Sequence, residues 1–149
     1  MMARTRRTGF TLVELLIVVV IMGILAATII PQFSDSSKDA KVSTVKFDLH
    51  TLRSQIELYR AQHDGRVPQD DTTLSELANK TDEFGEISES GAYGPYVQSI
   101  PVNPFSKSDQ VRAATDANRD TVVYSGNQGW LYDQATGQIW IDWAPYVEE

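Results

Sequence analysis

The sequence predicts an α+β fold in which a long N-terminal helix, apolar in its first half and amphipathic in its second, packs on a small C-terminal antiparallel sheet. Three patterns predict it: a nearly unbroken apolar run from Phe10 to Ile30, a stripe from Val42 to Tyr59 with alternating spacings of three and four, and short β-branched or aromatic runs between Thr121 and Asp142. The division expected from them is a leader at 1–9, a membrane helix at 10–30, an amphipathic helix at 31–62 and a soluble head at 63–149.

Between Phe10 and Ile30 the one strongly polar side chain is Glu14, which leaves about 20 residues of apolar helix, enough to cross a bilayer. Arg4, Arg6 and Arg7 precede the run and no basic residue interrupts it. The positive-inside rule therefore keeps the N-terminus cytoplasmic and sends the later residues across the membrane. Beyond Gly9 the chain carries 10 basic against 20 acidic residues, a surface that repels phosphate backbones and argues against nucleic-acid binding. Cysteine is absent, which excludes disulfides and thiolate chemistry.

The order of these parts is unlike an ordinary secretory signal, whose cleavage site follows the apolar stretch. Here Gly9-Phe10-Thr11-Leu12-Val13-Glu14-Leu15 resembles the processing motif of type IV prepilins and type II secretion pseudopilins. The resemblance runs from Arg6 through Pro31 and weakens beyond about Gln62. It implies a pilin-like fold, cleavage after Gly9 by a prepilin peptidase and N-methylation of Phe10. It also implies assembly of many copies into a homo-oligomeric filament at an inner-membrane platform shared with minor pseudopilins. Gly23 and Pro31 are the expected points of helix bending or melting, Pro31 matching the family's kinking proline.

An ionised carboxylate within a bilayer is costly, roughly 2.5 to 3.5 kcal/mol for Asp at a helix centre and less near an end. Two compensations are open to Glu14. Thr11 and Glu14 have the T-x-x-E spacing of a capping box, and an acid in the first turn suits the helix dipole. The family resemblance implies a further one, in which Glu14 accepts the N-terminal ammonium of a neighbouring subunit.

The stripe Val42, Val45, Leu49, Leu52, Ile56 and Tyr59 predicts the amphipathic half of the helix, with Lys46, Arg53 and Glu57 among its polar positions. With the apolar half it would extend about 80 Å. His63-Asp64-Gly65 and Pro68 should end it, and a cationic His63 would suit its C-terminal dipole, while His50 falls on the exposed side. Thr73-Leu74-Ser75-Glu76 predicts a capping box and a short second helix. The stretch from Thr81 to Glu89, rich in acids, predicts an exposed loop.

Pro101-Val102-Asn103-Pro104-Phe105, following Tyr93 to Val97, resembles the proline turn of major pseudopilins, with Asn103 where Asp is usual. Strands are expected at Thr121 to Ser125, Gly129 to Asp133 and Gln138 to Asp142, with a hairpin over Asp133 to Gly137. Trp130, Tyr132, Trp140 and Trp143 read as packing residues.

Two histidines and the absence of nucleotide or nucleophile motifs argue against an enzyme. Asp116, Asn118 and Asp120 place oxygen ligands at alternate positions, as at the start of a calcium loop, and major pseudopilins often bind calcium near their sheet. Thr121 and Asn127 stand where an EF-hand has its glycine and glutamate, so Ca2+ is at most a possible cofactor and a polar turn is the plainer reading.

The expected function is a structural subunit of a type II secretion pseudopilus, anchored in the inner membrane by one span with its head in the periplasm. A type IV pilin for adhesion or twitching motility shares the same assembly chemistry. A membrane-tethered binding module is the alternative of a different class.

Overall fold

The computed structural model describes residues 9–69, 71–114 and 124–143, the side chains of 30–35 excepted. In chain order its elements are helix α1 (Leu12–Gln62), helix α2 (Ser75–Ala78) and strands β1 (Val111–Ala113), β2 (Trp130–Asp133) and β3 (Gln138–Ile141). The chain divides into two units, one reaching to Ala40 and one beginning at Lys41, and α1 contributes to both. The α+β class expected from sequence is the one observed.

In the first unit the helix has no core. Leu12 to Ile29 has a mean hydropathy of 2.8 and none of it is buried. Thr28, the one hydroxyl residue of that stretch, donates back to the Leu25 carbonyl at 3.0 Å, so the hydroxyl is satisfied within the helix itself. The helical assignment continues through Gly23 and Pro31.

In the second unit the 3-4 stripe becomes the core. Val45, Leu49, Leu52, Ile56 and Tyr59 are buried against Trp130, Tyr132, Ile139 and Ile141 on the facing side of the sheet, with Leu74, Leu77, Ile100 and Val111 closing the ends. Spacings of three and four keep these side chains on one helix face, and period-two alternation keeps the partners on one sheet face. Leu131 and Trp140 point the other way and pack with Ala114 and Tyr124. The expectation that the strand aromatics serve packing holds for Trp130, Tyr132 and Trp140, which are buried, and for Trp143, which is partly so.

The sheet is not wholly antiparallel, which corrects the expected topology. Its order is β1-β2-β3; β2 and β3 form the expected antiparallel hairpin, but β1 runs parallel to β2 with Val111 opposite Trp130. The first strand therefore falls at Val111–Ala113. Of the stretch expected to supply it, 121–123 lie outside the described residues, and Tyr124 and Ser125 are not in a strand.

The hairpin is fastened to α1 by two arginines seven residues apart. Arg53 donates through Nε and Nη2 to the Ile139 carbonyl at 3.3 and 3.2 Å, and Arg60 donates to the carbonyl of Thr136. On β3, the Ile141 carbonyl accepts the backbone N–H of Trp143 at 2.9 Å. An edge strand offers its outward carbonyls to any passing chain, and here two of them are engaged from within.

Helix α1 ends as expected. Asp64 and Gly65 take left-handed conformations, and the Gly65 N–H returns to the Arg60 carbonyl at 2.9 Å. His63 stands at that end and is buried, stacked on Tyr59 with ring centroids 3.9 Å apart. Its Nδ1 meets the Tyr59 carbonyl at 2.9 Å and so carries a proton, while Nε2 meets the Thr81 hydroxyl at 3.0 Å.

One local expectation fails: Thr73 does not cap α2 with Glu76. Asp71 accepts the N–H groups of Thr73 and Ser75 at 2.9 and 3.1 Å, and Glu76 turns inward to accept the Tyr59 hydroxyl at 2.6 Å.

Candidate functional site

The N-terminal motif is built from adjacent residues. Gly9 and Phe10 lie ahead of α1 and are exposed, so the expected cleavage point sits in non-helical backbone that an enzyme can reach. A peptide bond inside a helix would have to be unwound first.

Thr11 and Glu14 close a reciprocal capping box. The Glu14 N–H donates to Thr11 Oγ1 at 3.2 Å, while the Thr11 N–H and hydroxyl both donate to Glu14 Oε2 at 2.9 Å. Two N–H groups that the helix cannot pair are thereby satisfied next to an apolar run where water would otherwise have to follow them. Every one of these bonds on the carboxylate uses Oε2. Among the described residues Oε1 accepts none.

Past this box the apolar side chains stand bare, from Leu12 at 80% exposure to Ile29 at 44%. A helix apolar all round is stable only in lipid or among other helices. Gly23 has open space around it, since a Cβ added there meets nothing within 4 Å. The side chain of Pro31 is outside what is described. So are Asp116, Asn118 and Asp120, and among the described residues no three acidic or histidine side chains converge on a metal position.

The head carries features that sequence reading did not single out. Tyr59 and Glu76 form a buried pair, with the Gln69 N–H as a second donor to the same carboxylate oxygen at 3.2 Å. Burial, then the hydrogen bond and charge of Glu76, push the Tyr59 phenol well above its ordinary range. Burial alone would raise the Asp71 carboxyl, but hydrogen bonds from Ser75 and Thr73 outweigh it and hold that group below the usual carboxylate range. Asn103, fully buried, accepts the Phe105 N–H at 2.9 Å and donates its amide to the Gly129 carbonyl at 2.9 Å. Reversing the amide would set donor against donor and acceptor against acceptor, so these partners fix its orientation.

A capped, bare apolar helix carrying one acid in its first turn, followed by a helix-on-sheet head, defines the class of type IV pilin-like filament subunits. Residues 4–30 match the prokaryotic N-terminal methylation motif, and residues 32–137 match type II secretion system (T2SS), protein G. The chain belongs to the type II secretion system protein G family, the major pseudopilins. Its relatives include the type II secretion system core protein G of Pseudomonas aeruginosa, 31% identical over 75% of this chain and 78% of that one. The core protein G of Aeromonas hydrophila is 29% identical over 86% of this chain and 88% of its own. A fimbrial protein of Neisseria meningitidis is 36% identical over a shorter stretch, 66% of this chain and 51% of that one. No solved structure matches the chain.

Proposed function

We propose that this chain is the main structural subunit of a type II secretion pseudopilus, held in the inner membrane by α1 until it is drawn into the filament. The observation that carries the reading is the bare apolar helix Leu12–Ile29 with the Glu14 carboxylate in its first turn. Three arginines before the span keep the N-terminus cytoplasmic and the head periplasmic. Cleavage after Gly9 then leaves Phe10 as the new terminus, one residue before the capping box.

The acid has a defined task in this scheme. Lipid tails are as apolar as leucine, so moving a helix from bilayer to filament core gains almost nothing from the hydrophobic effect. Packing and polar contacts must supply both the attraction and the register. A neighbour's terminal ammonium about 4 Å from Glu14, at an effective dielectric of about 20, contributes on the order of 4 kcal/mol before desolvation. In this scheme Oε1 accepts it while Oε2 keeps the helix capped. Methylation of the terminal amine retains its positive charge.

Glu14→Ala tests this directly. The variant inserts and is cleaved as the parent is, while filaments fall to background; normal filaments from Glu14→Ala would sink the reading.

Membership of a structural family supports a mechanical role, with growth of the filament pushing exported protein outward, rather than catalysis. A surface pilin for adhesion or motility is the second reading, supported by the match to the Neisseria fimbrial protein; that match covers about half of the relative, whereas the match to protein G takes in 32–137. Calcium binding by Asp116, Asn118 and Asp120 rests on their spacing. A rise in the head's melting temperature on adding calcium, lost in Asp116→Ala, supports it, and no shift disposes of it.

A further inference from the structure

The loop after Thr81 is a stiff prong. Asp82 Oδ1 accepts the N–H groups of Phe84 and Glu86 at 2.9 and 3.0 Å, and the Asp82 N–H and carbonyl bond Glu86 and Gly85. Gly85 is buried with φ at 93°, and a Cβ there would meet Tyr59 Oη at 2.5 Å, so the loop is seated on the Tyr59–Glu76 pair through a residue that must be glycine. Arg66 donates to the Phe84 carbonyl at 3.1 Å and lies 5.5 Å from its ring centre. The result is an ordered tip on which Phe84 stays 59% exposed between the exposed carboxylates of Glu83 and Glu86. Aromatic anchors on preorganised loops are what tight interfaces are built from, because little entropy remains to be lost on docking.

The same head carries a surface of opposite character. An open groove of about 490 Å³ on α1 is lined by Lys46, Leu49, His50, Arg53, Ser54 and Glu57. Leu49 and the aliphatic stems of Lys46 and Arg53 make its floor apolar. The one acid there, Glu57, is paired with Arg60 at 3.0 Å. Two of the groove's lining residues, Lys46 and Arg53, are basic, on a chain whose net charge is -7. It has room for an aromatic ring, and none of its lining residues belongs to the prong.

We infer that the groove of one subunit receives the Phe84 prong of a second copy of this chain, Phe84 entering over Leu49 and Glu83 and Glu86 facing Lys46 and Arg53. Since prong and groove are different patches, the contact is heterologous: each subunit offers one of each, and repetition generates an open helical array rather than a closed dimer. This rests on the pseudopilin reading and deepens it, adding a head-to-head contact to the helix-to-helix one.

The test uses the full chain in cells that assemble the filament. The parent has no cysteine, so Phe84→Cys and His50→Cys chains can be co-expressed and oxidised. A disulfide dimer in the mixture, absent from either variant alone, is the expected result. Independently, Glu86→Lys and Lys46→Glu each lower filament yield about tenfold, and the two combined in one chain restore it. Parent-like filaments with no mixed dimer and no restoration overturn the proposal, as does a disulfide joining the Phe84→Cys chain to a different protein. No filaments from the parent chain would instead overturn the assembly reading beneath it.

Discussion

The side-chain amide of Asn103 donates to the backbone carbonyl of Gly129 at 2.9 Å, tying the proline turn to the residue just before β2. Trp130 Nε1 adds a second tie to the Pro101 carbonyl at 2.8 Å. An ionised Asp in place of Asn103 would set a carboxylate oxygen against that carbonyl with no hydrogen between them.

Asn103→Asp is therefore expected to cost about 2 to 4 kcal/mol at neutral pH. Urea unfolding followed by tryptophan fluorescence measures it, since Trp130, Trp140 and Trp143 all lie in the head. The introduced carboxyl has a folded pKa raised above its unfolded value. The loss shrinks as pH falls and the protonated form becomes able to donate to Gly129.

Gly137 holds the β2–β3 turn at a φ of 76°, and a Cβ there would meet Arg60 Nη2 at 2.6 Å and Val67 Cγ1 at 2.7 Å. Gly137→Ala combines left-handed strain with a clash against the arginine that binds Thr136. A loss of about 2 to 4 kcal/mol is expected, read as a lower denaturation midpoint with little change in slope.

Tyr59→Phe keeps the stack on His63 but removes the hydroxyl that Glu76 accepts. The buried carboxylate retains the Gln69 N–H, so the expected cost is about 1 to 3 kcal/mol. Because Gly85 packs against that hydroxyl, faster amide exchange at 82–86 should accompany the loss, and an unchanged exchange rate would contradict the seating of the prong.

Asp71 anchors the start of α2, and Asp71→Ala should cost about 1 kcal/mol. Its folded pKa lies below the unfolded value, so the stabilisation is fully present above the ordinary Asp range, about 3.9, and is lost as pH falls through the depressed folded value. The parent should therefore lose stability on acidification more steeply than Asp71→Asn. Thermal melts between pH 6 and pH 2 compare the two.

What the sequence made legible was local or periodic. The Thr11–Glu14 box needs only two residues three apart, and the stripe from Val45 to Tyr59 needs only the helical period. The Asp133 to Gly137 hairpin announces itself by a glycine at the one position with positive φ. The rest depended on distant partners. Strand β1 is three residues long and pairs in parallel with a strand nearly twenty residues away, so it leaves little periodic trace. The Thr73 box lost to Asp71 because Tyr59, seventeen residues upstream of Glu76, supplies a buried hydroxyl for that carboxylate. His63 could be placed at the helix end, but its stack on Tyr59 and its bond to Thr81 belong to the same neighbourhood. Asn103 could be placed in a turn, but the purpose of its amide rests on Gly129, twenty-six residues on.

The two carbonyls of β3 held by Arg53 and by the Trp143 N–H bear on what happens when many heads are crowded along one polymer. A neighbour that cannot graft its own backbone onto this margin must be gripped by side chains, and side-chain grips can be released. Contact between neighbouring heads then falls to side chains, as in the proposed seating of Phe84 over Leu49, and leaves each small sheet whole within its own subunit.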